Sequence, residues 1–160
     1  MTTPEEIIRL IQSRFSDILL ESTAGGLHPH VQIRPEGLIS VCRFLKDEPS
    51  LRFDLLRCIS TVDWPQNNVI ELSYDLMSLF FAHAFAVKLV LNRARPEIQS
   101  VRTVWAAAGW HEREAFDLMG VLFLNHPDAR RILMPDDWTG HPLRKDYRDL
   151  AEYHGLKVKP

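Results

Sequence analysis

The run HEREAFDLMG at 111–120 sets His111, Glu112, Arg113, Glu114 and Asp117 ahead of an apolar pair and a glycine. Side chains of these types can ligate a metal, move protons or pair with opposite charge. On a helix, residues three and four apart share a face. His111, Glu114 and Asp117 then lie together, and a metal-dependent enzyme working by itself is one reading of them. The zinc-protease pattern His-Glu-x-x-His is broken, because Ala115 stands where its second histidine belongs. Carboxylate di-iron sites need Glu-x-x-His pairs on two helices, and the chain has no such set. A plain solvated face is a second reading. An ion-pair staple between this helix and the chain that follows is the third.

Glu112 favours the staple. It falls among Ala108, Ala115, Phe116 and Met119, on the apolar side. A carboxylate there costs several kcal/mol unless paired or hydrogen-bonded. Arginine is the natural partner, since its planar fork meets a carboxylate with two parallel bonds. Arg130 and Arg131 arrive soon afterwards, and one of them is expected to hold Glu112. Arg113 and Asp117, four apart, can pair on another face.

Other catalytic arrangements are missing. There is no Gly-x-Ser-x-Gly elbow, no phosphate-binding Gly-x-x-x-x-Gly-Lys loop and no dinucleotide fingerprint. Cys42 and Cys58 are too few for a disulfide framework and read as small buried residues, in a strand and a short helix respectively. His83 reads as a structural histidine, while His28, His30, His126 and His141 fall in loops. A net charge of −2 gives no reason to expect nucleic acid as a partner. The N-terminus carries no basic-then-apolar signal segment. The apolar run Leu76 to Val87 is well short of the ~20 residues of a membrane span, so membrane association is expected through another chain.

The elements that position these residues start with a helix capped by Thr3, Pro4 and Glu6, with Ile7, Ile8, Ile11, Phe15 and Ile18 as its apolar stripe. Residues around Val31 to Arg34 and Leu38 to Phe44 read as a hairpin about Pro35-Glu36-Gly37. Ser50 is expected to cap a short helix burying Leu51, Leu55, Leu56 and Ile59. Ile70, Leu72, Tyr74 and Leu76 alternate with polar residues, and His83 to Leu91 alternates too, giving a second hairpin. From about Thr103 the period is helical and runs to Met119, with Gly120 as C-terminal cap. The expected class is α+β: an antiparallel sheet of two hairpins covered by helices, followed by an extended segment. Residues 1–124 form the domain, and 125–160 the segment. The latter holds Pro127, Pro135 and Pro142, which prevent long regular structure, yet Ile132, Leu133, Met134, Trp138, Leu143 and Tyr147 are too apolar for a solvated tail. It is expected to dock on its own domain or on a neighbouring subunit.

Three blocks, EREAFDLMGVLF, HPDARRILMPDDW and GHPLRKDY, together span 112 to 147 and closely resemble the signature of the 30 kDa subunit family of respiratory complex I, the C subunit of bacterial NADH-quinone oxidoreductase. The positions carrying the resemblance are Glu112, Arg113, Glu114, Asp117, Gly120, His126, Pro127, Arg130, Arg131, Asp137, Gly140, Pro142, Leu143, Arg144, Lys145, Asp146 and Tyr147. The VDWP at 62–65 agrees with it. Gln99-Ser100 stands where the family often has proline-serine, and DLAEYHGLKVKP at the end matches no part of the pattern.

The resemblance implies a structural subunit in the peripheral arm of a proton-translocating enzyme, on the cytoplasmic side of the bacterial inner membrane. It implies no flavin, iron–sulfur cluster or metal bound by this chain, while the whole complex uses FMN, iron–sulfur clusters, NADH and quinone. Its implied partners are subunits D, B and I of complex I, with the chain in the free-standing rather than the C–D fused form. A homologous subunit of a membrane-bound hydrogenase or of a ferredoxin-dependent photosynthetic complex is the alternative. His141 in GHPLRKDY favours the respiratory form.

Overall fold

The computed structural model describes residues 2–158. Helix α1 (Pro4–Phe15) opens on the capping box: the Thr3 hydroxyl accepts from the Glu6 amide, and the Glu6 carboxylate accepts from the Thr3 amide. Ile7, Ile8 and Ile11 are buried, and the helix stops at Phe15 rather than continuing to Ile18. Strand β1 (Leu19–Thr23), which no sequence pattern announced, pairs antiparallel with β2 (His30–Ile33).

Leu38–Phe44 is not the second arm of a hairpin. A 3-10 turn at Pro35–Gly37 leads into helix α2 (Leu38–Asp47). Leu38, Val41, Cys42 and Leu45 recur at helical spacing and are all buried, which outweighs the short alternation within the same residues. A Cβ at Gly37 would collide with the Ile18 side chain, so glycine is what lets the turn between α1 and β1 approach the entry to α2.

The helix expected after Ser50 is a turn followed by β3 (Leu55–Trp64). A bulge between Leu56 and Cys58 explains the misreading. It puts Leu56 and Ile59, three apart, on one face of the strand, imitating a helical period. Cys42 accordingly lies in a helix and Cys58 in a strand, the reverse of expectation. Strands β4 (Val69–Ser78) and β5 (His83–Asn92) form the expected second hairpin, with Ile70, Leu72, Tyr74 and Leu76 buried.

The sheet runs β1-β2-β5-β4-β3. It is mixed rather than wholly antiparallel, because β2 and β5 run parallel. Its buried face joins α1 and α2 in one core, so the class is α+β, as expected.

Strand β6 (Glu97–Gln99), helix α3 (Ala108–Met119) and strand β7 (Leu122–Leu124) form a crossover unit, with β6 and β7 parallel. Helix α3 packs against β3. It starts at Ala108, later than the expected Thr103. Residues before it turn so that the Trp105 indole donates to the Phe53 carbonyl at 2.9 Å and Lys46 to the Val104 carbonyl. Beyond β7 the described chain contains no helix. It runs as a ribbon over the end of α3 and finishes in a small hairpin, β8 (Glu152–Tyr153) and β9 (Leu156–Lys157), about His154 and Gly155, both at positive φ.

Candidate functional site

The charged residues of α3 do hold the ribbon, but not in the expected pairs. Asp117, fully buried, is the node. Its Oδ1 accepts from Arg131 Nη1 at 2.7 Å, and its Oδ2 accepts the backbone amides of Ile132, Leu133 and Met134 at 3.0, 2.7 and 2.8 Å. Burial pushes this carboxyl up. The Met134 amide, the Arg131 guanidinium and the Leu133 and Ile132 amides outweigh that and hold it below the usual carboxylate range. Arg131 therefore serves Asp117 and not Glu112. Its other arm donates to the carbonyls of Trp138 and Gly140 at 2.8 and 3.0 Å, tying a second stretch of ribbon to the same point.

Arg113 does not pair with Asp117 either. It donates to the carbonyls of Arg130 and Arg131 at 3.2 and 2.9 Å and lies 3.5 Å from Asp128. Arg130 pairs with Asp128 at 2.8 Å.

The last carbonyls of a helix have no partner within it. Here the ribbon supplies them. Asp117 O accepts from Arg131 and from His141 Nδ1, Leu118 O from the Leu143 amide, and Met119 O from Arg144 Nε at 2.8 Å. A carbonyl only accepts, so Nδ1 of His141 carries its hydrogen. Burial, first, keeps this imidazole below its ordinary pKa. Two guanidiniums at a helix C-terminus also meet its negative end. Gly120 closes the helix at φ +74°, and a Cβ there would lie 2.6 Å from the His141 ring, so both backbone and space demand glycine. His126 and His141 are thus bonded parts of the clasp rather than loose loop histidines.

Glu112 is buried on the other side of α3, as expected, but its partners are uncharged. Its Oε2 is 2.6 Å from Ser100 Oγ, and its Oε1 accepts the Val101 amide at 2.8 Å. Burial drives its carboxyl up to about 7, against the pull of Ser100, the Val101 amide and Arg102. His126 Nε2 stands 3.8 Å away. Its Nδ1 accepts the Asp128 amide, so Nε2 holds the hydrogen and donates to the Gly109 carbonyl. Ser100, in the stretch where the sequence departs from the family pattern, was not singled out as a site residue; the buried carboxylate twelve residues on is the signal that a donor was required.

A second anchor lies at the end of the sheet. Asp63 faces inward from β3, opposite Ile70. It accepts from Arg93 at 2.6 and 3.0 Å and from the Lys145 amide at 2.8 Å, and Arg93 also reaches Asp146 at 2.6 Å. The Arg93 bond, the largest influence, holds Asp63 below the usual carboxylate range. Asp63 sits in VDWP, but nothing local pointed to Arg93. Farther along, Trp138 Nε1 donates to the Tyr147 hydroxyl, whose ring lies on Gly140, and Asp137 accepts from Tyr153 and His154. Glu114, Pro127, Pro142 and Leu143's side chain lie outside the clasp proper; Glu114 and Leu143 are exposed. His111, Glu114 and Asp117 do not converge, and among the described residues no three His, Cys, Asp or Glu side chains are grouped to hold a metal. No helix among them is long and apolar enough to cross a membrane.

Residues 31–153 match the family model described as the 30 Kd subunit of respiratory-chain NADH dehydrogenase. The C subunit of NADH-quinone oxidoreductase from Chlorobium phaeobacteroides is 47% identical over 151 residues, 93% of this chain and 91% of that protein. A chain of an archaeal respiratory membrane complex, the membrane-bound sulfane sulfur reductase, superposes with a TM-score of 0.78 at 25% identity, covering 92% of this chain and 86% of its own. A trypsin-resistant fragment of Nqo5, residues 1–134, shares the fold with a TM-score of 0.63 at 22% identity, covering 76% of this chain and 98% of the fragment.

Proposed function

The chain belongs to the family of the 30 Kd subunit of respiratory-chain NADH dehydrogenase, and we propose on that premise that it is a scaffold subunit in the peripheral arm of a proton-translocating NADH:quinone oxidoreductase. It carries no redox centre, and it positions the quinone-site and iron–sulfur subunits, with D, B and I as its neighbours. The complex, which supplies FMN, iron–sulfur clusters, NADH and quinone, holds it on the cytoplasmic side of the inner membrane.

The observation that carries this reading is how the signature residues are spent. Asp117, Arg113, Arg131, His141 and Arg144 satisfy one another and the backbone, with no nucleophile–base pair and no open coordination set formed from them. Such residues fix a surface and do not turn over a substrate. Residues 125–160 are the docking segment of this scaffold and 1–124 its body.

The likeness to a chain of the archaeal sulfane sulfur reductase favours a second reading, a homologous subunit of a related membrane-bound complex such as a hydrogenase or a ferredoxin-dependent photosynthetic complex. Affinity purification of the tagged chain from solubilised membranes separates the two. Co-purified subunits D, B and I with an NADH-binding flavoprotein uphold the first reading, and a hydrogenase set upholds the second. Arg131→Ala lowers the yield of assembled complex and leaves turnover per complex unchanged. Full assembly with lost turnover would overturn the scaffold role.

A further inference from the structure

We propose that the cleft between the first turn of α3 and the Pro127–Asp128 corner receives an acidic segment of a partner subunit, with Arg102 and Trp110 as its anchors. The inference rests on the scaffold reading above and adds where, and with what chemistry, one neighbour docks.

The cleft has a volume of about 160 Å³, room for one or two side chains rather than a helix. Trp110 forms one wall and is 64% exposed, the most exposed indole of the chain by that measure. It is held in place all the same. The Arg113 guanidinium lies 5.4 Å from its ring centroid, and Arg113 is itself fixed by the Arg130 and Arg131 carbonyls. The indole is thus pinned to the clasp with its outer face uncovered.

Arg102 supplies the charge. Its stem lies along α3 at Gly109, where a Cβ would meet Arg102 Cδ and Nε at 3.2 Å. Glycine weakens a helix interior, and here its bare backbone is what lets the arginine lie close. No carboxylate comes within ion-pair distance of Arg102 among the described residues. Asp128, the carboxylate of this cleft, is already shared by Arg130 at 2.8 Å and Arg113 at 3.5 Å. Glu112 is near enough to feel Arg102 but is closed off by Ser100 and the Val101 amide. The cleft therefore presents a guanidinium without a counter-ion, its stem laid along Gly109, next to an uncovered indole that rests against Arg113. Tryptophan and arginine dominate the energetics of protein interfaces, and a guanidinium fork selects a carboxylate. An Asp or Glu side chain beside an apolar residue completes both.

The test uses the full chain, tagged, in the assembled complex. With Trp110→p-benzoylphenylalanine as photo-crosslinker, irradiation followed by peptide mapping is expected to join position 110 to another subunit, on a segment carrying Asp or Glu. Arg102→Glu is expected to lower recovered complex about fivefold through like-charge contact. Arg102→Lys restores most of it and leaves the melting temperature of the isolated chain unmoved, since the exposed positive charge near Glu112 is kept. If the chain still co-purifies with its partners but the adduct is internal, lies on a second copy, falls on a segment without an acidic residue or does not form, this inference falls and the scaffold reading stands. If no other chain co-purifies at all, both fall.

Discussion

Two carboxylates on one helix, Glu112 and Asp117, are both fully buried, yet their surroundings treat them oppositely. Asp117 meets four N–H donors, one of them cationic, and is held ionised. Glu112 meets one amide and one hydroxyl, and its proton is retained to about pH 7. Burial raises both carboxyls; the four donors around Asp117 outweigh it, and the two at Glu112 do not. The side of α3 turned to the ribbon is built for a fixed anion, and the side turned to β6 and β7 for a neutral acid.

The harshest way to break this contrast is Asp117→Ala. Removing the anion leaves Arg131 and three amides facing a gap. Loss of one partner of a buried ion pair costs about 3–5 kcal/mol. Urea unfolding is expected to show that loss, and limited trypsin treatment to cut within 125–158 before the rest.

Glu112→Gln should act the other way. A carboxyl whose folded pKa is raised from 4.5 to about 7 contributes stability in full below pH 4.5 and loses it as pH rises through 7. A glutamine can still accept from Val101 and donate to Ser100, with nothing to ionise. The variant should match the parent near pH 4 and exceed it at pH 8 by up to about 3 kcal/mol. Unfolding midpoints across that range check it; equal midpoints at pH 8 would mean Glu112 ionises without cost. The Asp117 contribution has the opposite slope, present above the ordinary carboxylate range and lost as pH falls below it.

Gly120→Ala is smaller, on the order of 1–2 kcal/mol, from a strained φ and a crowded His141 ring. Thermal melting measures it. Smallest is Asp137→Asn, at an exposed pair with His154 (58% and 65% exposed). Screened surface pairs contribute little, and no shift in midpoint is expected at about 0.15 M salt.

The same contrast explains what could be read from the sequence. Patterns that one element satisfies alone were legible: the α1 capping box, the alternation of β4 and β5, the Gly120 stop, the inward face of Glu112. The α+β class followed from them. What failed needed another segment to complete it. Arg131 was visible as an anchor, but which carboxylate it would meet depends on the path of a ribbon that has no period. Leu56 and Ile59 looked helical because a bulge changed their spacing, and Leu38–Leu45 satisfied both periods until the sheet left only one surface to cover. Arg93 sits thirty residues from Asp63 and fifty-three from Asp146, beyond any local motif.

The reach between Met119 and Arg144 has a consequence in time. The carbonyl and the guanidinium that caps it are separated by 25 positions, and a ribosome adding about 5–20 residues per second takes a second or more to cover that distance. Through that interval the nascent helix ends in a Met119 carbonyl whose guanidinium cap has not yet been made.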